Sequence, residues 1–318
     1  MAVPSVAPLL PASVRQVVEK MLSEDLGFAE VLCLPAPALA LRSQRVAPEE
    51  QATRRSTCTV LDLGFSACFA QPCVDGVAIE SAGRRLNVGA RVLTNLLLER
   101  LRLRHYDLSA AWLLVEDILA KTGEVASNFD KVLHAGYSTS ESKTYVLPDF
   151  KAHNRGFVRA DPSEASETGL QEIKLLAERL AVPEALFRPQ DFGIPMSGLP
   201  ELVHQAILAV SEEKWRPHLG RVLLCGGLAR LPGLAKRLRL ELRQLLPSHW
   251  PVEVIVEDEP ELAAWRGAAQ LVADGLLSGT VSKLQLRRQR QPQVAKPDEV
   301  DLGRIKSEGP KRKAVCLD

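Results

Sequence analysis

The apolar positions of this chain change period several times, and each change predicts an element. Between Ser13 and Leu26, Val14, Val17, Val18, Met21 and Leu22 fall on one helical face, with Ser13 placed as N-cap and Gly27 as the stop. Val31–Leu34 is a short strand-like run that leads into an Ala-rich stretch ending at Leu41, and Ser43–Arg55 reads as a polar loop. Then "STCTVLDLGFSACFAQPCVDGVAI" predicts a three-strand antiparallel unit. Its first strand is buried and apolar around Leu61, its second starts at Ser66–Ala70, and Asp75-Gly76 turns the chain into the third. An aspartate, Asp62, stands near the end of the first strand.

Helical spacing returns with Val92, Leu93, Leu96, Leu97 and Leu101, and again over Leu108–Thr122. Lys143–Phe157 predicts two short strands with a polar turn between them. Ser166–Leu180 predicts a helix with Ile173, Leu176 and Leu180 inward, and Leu199–Glu212 predicts another. "VLLCGGLARLPGLAKRLRLELRQLL", Val222–Leu246, reads as strand, double glycine, breaker pair and amphipathic helix. A strand over Val252–Val256 and a helix over Pro260–Leu277 close the pattern. The order βββ, α, α, ββ, α, α, βαβα predicts an α/β chain with a mixed sheet.

Composition narrows the class. The chain has 318 residues, 46% hydrophobic and 25% charged, with a net charge of +1, so the molecule as a whole is no polyanion binder. Its apolar runs are too short to span a bilayer, which gives no reason to expect a membrane. The six cysteines have no metal-ligand spacing and read as reduced thiols of the cytosol or nucleus. The six histidines lie in polar or helical-surface contexts, outside any G-x-S-x-G or H-E-x-x-H frame. Apolar periodicity stops after Leu277. The remaining stretch is polar and basic, with Lys283, Arg287, Arg288 and Arg290 in one group and Lys311, Arg312 and Lys313 in another, and "PKRK" is a short cluster of the nuclear-import type.

Four ordered blocks carry a resemblance to the actin-related proteins, of the actin, Hsp70 and sugar-kinase superfamily. "RQVVEKMLSEDLGFAEVLCLPAPALAL" is similar to the helix and strand that precede the second half of actin. "TVLDLGFSACFAQPCVDGVAI" resembles the second phosphate loop, "VLLCGGLARLPGLAKRL" the adenosine segment, and "DEPELAAWRGAAQLVAD" the closing Trp-x-Gly segment. The strings "RLNVGARVLTNLLLERL", "YVLPDFKAHNRGF" and "RLAVPEALFRPQDFGIPMSGLPELVHQAI" are similar to the actin-related protein 6 class, which is nuclear. The resemblance implies an actin-like, ribonuclease-H-like ATPase fold whose first half is incomplete, with a mixed sheet flanked by helices and a helical insertion. It implies a remnant of the first half over 1–56, the second half over 57–265 with an insertion at about 100–190, a closing helix at 266–281, and a basic disordered tail at 282–318. Nothing before Val14 supplies the strands of the other phosphate loop, so either the sequence starts late or the lineage lost them.

The same resemblance places Asp62 near a metal, lets Gly64 keep a close backbone approach, and offers Gly226 and Gly227 to an adenine ring. Asp62 reads equally well as a strand-end acid capping backbone N–H groups. Departures surround these four residues. Phe65 and Ser66 replace a second acid and a glycine, Leu119 and Ala120 fall where a Lys-Glu pair contacts adenosine, Glu261 replaces a basic residue beside the base, and Ala36 falls near the water-orienting Gln. The site therefore reads as degenerate, with no catalytic or metal-ligating residue assigned. ATP is the one cofactor raised, and the departures argue against it. The class implies a non-catalytic architectural subunit of a nuclear remodelling complex that exchanges a histone variant. Its partners would be the remodeller ATPase scaffold, a zinc-finger HIT-domain protein and, indirectly, histones or nucleosomal DNA. The competing reading is an ATP-binding actin-like protein of the cytoskeleton, placed in the cytoplasm.

Overall fold

The computed structural model describes residues 3, 5–6, 11–28, 31–43, 57–136, 142–151, 153–159 and 170–274. The basic tail and the expected loop from residue 44 lie outside these residues. A two-residue strand β1 (Ser5–Val6) is followed by helix α1 (Ala12–Lys20), which continues into a single π-helical turn at Met21–Asp25. Pro11 precedes the helix and Ser13 lies inside it, so the expected Ser13 cap is displaced. Strand β2 (Leu34–Pro35) pairs parallel with β1 and runs directly into α2 (Ala36–Ser43).

The main sheet begins with β3 (Cys58–Leu63), β4 (Cys68–Val74) and β5 (Val77–Ala78). Between β4 and β5, Asp75 and Gly76 both take positive φ, at 48° and 76°, as a tight two-residue hairpin turn requires. Strand β6 (Arg84–Leu86) also pairs with β4. Helices α3 (Ala90–Arg104) and α4 (Trp112–Thr122) follow, then α5 (Phe129–Ala135), which Asn128 caps by accepting a hydrogen bond from the Lys131 N–H.

Strands β7 (Lys143–Val146), β8 (Phe157–Val158) and β9 (Glu172–Leu175) form a separate antiparallel sheet in the order β8-β7-β9. Here the expectation of a helix over Ser166–Leu180 is overturned at Glu172–Leu175, and only its end, from Glu178, is helical among the described residues. Ile173 and Leu175 are buried while Glu172 and Lys174 alternate outward, a period of two that an i, i+3, i+7 reading of Ile173, Leu176 and Leu180 overlooks. The insertion is thus mixed rather than purely helical.

The chain returns through α6 (Glu178–Ala181), α7 (Leu199–Leu208), strand β10 (Arg221–Cys225), α8 (Leu234–Leu245), β11 (Glu253–Val256) and α9 (Ala263–Ala273). The main sheet runs β11-β10-β3-β4-β5, parallel across β11, β10 and β3 and antiparallel beyond. Strand β3 is central, which explains its unbroken apolar run: both of its faces are covered. Leu61 and Leu63 enter the larger core with residues of α3, α4, α7 and α8. Cys58 and Val60 enter a smaller core with Ala40 and Leu41 of α2 and Ala263 of α9. Helix α9 crosses α2 at Gly267, where an added Cβ would stand 1.8 Å from the Leu39 carbonyl oxygen, so only glycine permits this approach.

A buried cation ties α8 to the insertion. Arg237 is 4% exposed. It donates to the Ala126 carbonyl at 2.8 Å, to Glu184 Oε1 at 3.2 Å and to Glu241, and its guanidinium lies over the Phe187 ring at 5.1 Å. Burial pushes the Glu184 carboxyl up to about 7, against the pull of Arg237 and Arg188. Replacing one partner of such a pair strands the other in the core. Arg237→Met is expected to cost roughly 3 kcal/mol in urea unfolding, and adding Glu184→Leu should restore most of it. An additive loss in the double variant would show that the two groups do not depend on each other.

Candidate functional site

Register assembles the site. Strand β10 pairs with β3 so that Cys225 lies level with Asp62. Because the two strands are parallel, their carboxyl ends open on the same side, the edge at which open α/β sheets receive ligands. Gly226 immediately follows Cys225, and Gly64 follows β3 directly after Leu63. Three of the four expected residues therefore meet. A Cβ on Gly226 would stand 3.0 Å from Asp62 Oδ1 and 2.4 Å from the Leu63 carbonyl oxygen. A Cβ on Gly64 would stand 3.9 Å from the same Asp62 oxygen.

The two glycines of the pair do different jobs. Gly226 has φ 87°, and its N–H donates to the Pro260 carbonyl at 2.8 Å, so it is held by β3 on one side and by the segment before α9 on the other. Gly227 opens a 3-10 turn that runs to Arg230, and its Cα faces open space, with nothing within 4 Å of an added Cβ. The turn requires glycine at 226. Any ligand that approached this backbone would do so at 227.

Asp62 is half-buried, and its side chain has no hydrogen-bond partner among the described residues. That removes the reading of Asp62 as a cap on backbone N–H groups. Period-two alternation puts it on the face of Cys58 and Val60, and desolvation alone pushes its carboxyl up to about 6. The loop after it is pinned from below. The Ala90 and Arg91 N–H groups at the start of α3 donate to the Gly64 and Phe65 carbonyls at 3.1 and 2.9 Å, and Gly89 leaves no room for a Cβ under Phe65. The Phe65 and Ser66 N–H groups donate to no carbonyl among the described residues. The Phe65 ring leans edge-on against Trp112 at 5.6 Å, so an aromatic pair takes the place of the second acid.

On the adenosine side the polar equipment is replaced by packing. Leu119 is buried in the larger core, which also holds Leu231. Ala120 is exposed. Glu261 accepts a bidentate pair of bonds from Arg230, one of them 2.8 Å, which holds its carboxyl below the usual range. Sequence reasoning singled out Glu261 but missed Arg230 and Leu231. Their signal was present: an acid where a base belongs calls for a cation nearby, and Arg230 ends the turn that follows the double glycine. Ala36 opens α2. Among the described residues no group of three or more His, Cys, Asp or Glu side chains is arranged to hold a metal. Cys58, Cys68, Cys73 and Cys225 are buried thiols of the sheet, and burial pushes Cys58 up to about 12.

A three-strand antiparallel unit, a βαβ return and paired glycine turns at the carboxyl ends of the central strands, in a mixed sheet flanked by helices, define an actin-like fold. The Actin family model matches residues 7–289. The chain is 32% identical over 266 residues to "Actin-related protein 6" of Drosophila melanogaster, covering 81% of this chain and 67% of that one. It is 32% identical over 266 residues to "Actin-like protein ARP6" of Yarrowia lipolytica, covering 83% and 67%. With "Actin-related protein 6" of Arabidopsis thaliana the identity is 29% over 293 residues, covering 84% and 69%. The chain belongs to the actin family.

Two outcomes test this division of labour. Gly226→Ala must adopt a left-handed backbone and press on the Leu63 carbonyl, and should cost about 2 kcal/mol or more, whereas Gly227→Ala should stay within about 0.5 kcal/mol. Equal effects in thermal melts would refute the distinction. Asp62, with a folded pKa raised to about 6, adds stability that is full below its unfolded value of 3.8 and is lost as the pH rises through 6. Asp62→Asn should therefore raise stability at pH 8 by roughly 1–3 kcal/mol and leave it unchanged below pH 4. A destabilised Asn variant at pH 8 would mean that the carboxylate is held by a partner.

Proposed function

We propose that the chain is a non-catalytic, architectural actin-related subunit of a nuclear chromatin-remodelling complex that exchanges a histone variant into nucleosomes. One observation carries the non-catalytic part. The positions that would grip adenosine serve the fold instead, Leu119 as a buried core side chain and Glu261 as the partner of Arg230, while the glycine turn that holds the fold is kept. ATP hydrolysis needs groups that orient water and stabilise charge on the leaving phosphate. Phe65, Ser66 and Ala36 supply neither. The relatives that carry the name actin-related protein 6 support the choice of class. In that setting the partners are the ATPase scaffold of the remodeller and a zinc-finger HIT-domain protein, with nucleosomes reached through them. The exposed apolar side chains of α1, Val14 and Val17, with Met21 one turn on, and Trp265 of α9 at 68% exposure, fit a subunit that works inside an assembly.

A second reading keeps nucleotide binding without turnover. It is favoured by Asp62, which lacks any compensating cation among the described residues, and by the open approach at Gly227. The two readings separate in one set of measurements. Purified chain is expected to hydrolyse no ATP above background, and magnesium-ATP should not raise its melting temperature. A magnesium-ATP shift that disappears in Asp62→Asn would establish the second reading, and turnover lost in the same variant would sink the first. Affinity purification of the tagged chain from nuclei should recover a remodeller ATPase, and recovery of cytoskeletal proteins alone would refute the chromatin assignment.

A further inference from the structure

Strand β11 ends the main sheet. It pairs with β10 on one side, and among the described residues nothing pairs with its outer edge. All four of its residues are at least partly exposed, whereas four of the five residues of β10 are buried. An open edge offers N–H and C=O groups to any extended chain that can reach it. A groove of about 530 Å³ lined by Lys236, Arg239, Leu240, Arg243 and Val252 reaches this strand at Val252, the residue that leads into it.

Four of the five lining residues form a single helical stripe. Residues 236, 239, 240 and 243 recur at i, i+3, i+4 and i+7 on α8, opposite the buried Leu234, Leu238 and Leu242. Leu240 is 47% exposed, where an ordinary surface helix would carry a polar residue. Arg243 is fixed as the end wall, donating to the Trp250 and Leu246 carbonyls at 2.6 and 2.8 Å and to Pro247. Lys236 and Arg239 make no ion pair or hydrogen bond among the described residues. The nearby acids are already engaged, Glu241 by Arg237 and Glu253 by Arg221. The groove is therefore net positive, with Leu240 and Val252 as its apolar lining, and Val252 leads directly into the strand whose outer edge is unpaired among the described residues.

We propose that this groove docks a short extended segment of a partner protein, rich in Asp and Glu around one aliphatic side chain, which adds as a strand to the outer edge of β11. The stripe from Lys236 to Arg243 is about 10 Å long, the span of three to four extended residues and of β11 itself. The backbone of the segment pairs with the edge, its carboxylates meet Lys236 and Arg239, and its aliphatic side chain lies between Leu240 and Val252. A nucleic-acid strand fits less well: the lining of the groove holds no aromatic ring on which a base would stack. This surface is read from the groove alone and stands whether or not the chain works in a remodelling complex.

The test uses the full chain and a fluorescein-labelled peptide of alternating Glu and Asp with one central Leu. Expected results are binding that weakens with salt, a loss of about tenfold or more in Lys236→Glu/Arg239→Glu, and a clear loss in the exposed-site variant Leu240→Asp. Hydrogen exchange should show the peptide protecting amides of Glu253–Val256. Absence of binding overturns the proposal, as does binding indifferent to the three substitutions. Binding without protection of β11 also overturns it. So does a peptide with Ser for Leu, or a single-stranded oligonucleotide, that binds equally well, because the groove would then be a general anion patch.

Discussion

The parallel pairing of β3 with β10 is the constraint on which the rest depends. It joins residues about 160 apart in sequence, since Val222 lies beside Thr59 and Cys225 beside Asp62. Closing so long a loop is entropically costly, and the seam is held by what covers it. Both faces must be dry. The helices of the returning chain and the insertion supply one face, and α2 with α9 supplies the other. The Gly267 crossing on Leu39 is the consequence: two helices can lie on one narrow face only if their backbones nearly touch. Thr59 adds a polar clasp, donating its hydroxyl to the Leu219 carbonyl at 2.9 Å just before β10 begins.

The same seam keeps the shape of a nucleotide site while its chemistry is replaced. Parallel strands necessarily end together, so Asp62, Gly64 and Gly226 converge whether or not anything binds there. Convergence is therefore weak testimony for a ligand, and the surrounding side chains carry the decision. Gly226 is required by its φ and by the Leu63 carbonyl, and would persist in a chain that had lost every affinity for ATP. Asp62 is the residue that folding alone does not explain. It is half-buried, has no hydrogen-bond partner among the described residues, and sits where burial disfavours its own charged form.

Most of the architecture was legible because it is written in periods and breakers. The buried run around Leu61, the Asp75-Gly76 turn, the helical spacing of Leu93, Leu97 and Leu101, and the strand–double-glycine–helix unit all appear where the pattern puts them. Strand β9 was hidden because Ile173, Leu176 and Leu180 also satisfy a helical period, and only pairing with β7 decides between the two. The site was legible in its backbone and obscure in its side chains. Glycines and a strand-end acid are local signals. The Arg230–Glu261 contact joins residues 31 positions apart, and no short window of sequence displays them together.

Helix α8 shows how one element serves both the fold and a surface without conflict. Its inward face carries an arginine that would be ruinous there without acceptors, and Arg237 finds them in Glu184, Glu241 and the Ala126 carbonyl. Those contacts consume Glu241, the one acid of the helix, inside the fold. The outward stripe is cationic because the one carboxylate of α8, Glu241, lies on the inward side with Arg237, two positions from Arg239 and five from Lys236, spacings at which side chains do not face each other. The division of charge on α8 is therefore a division of faces: the acid is placed where the buried arginine needs it, and the exposed side, lined by Lys236, Arg239 and Arg243, is left without one.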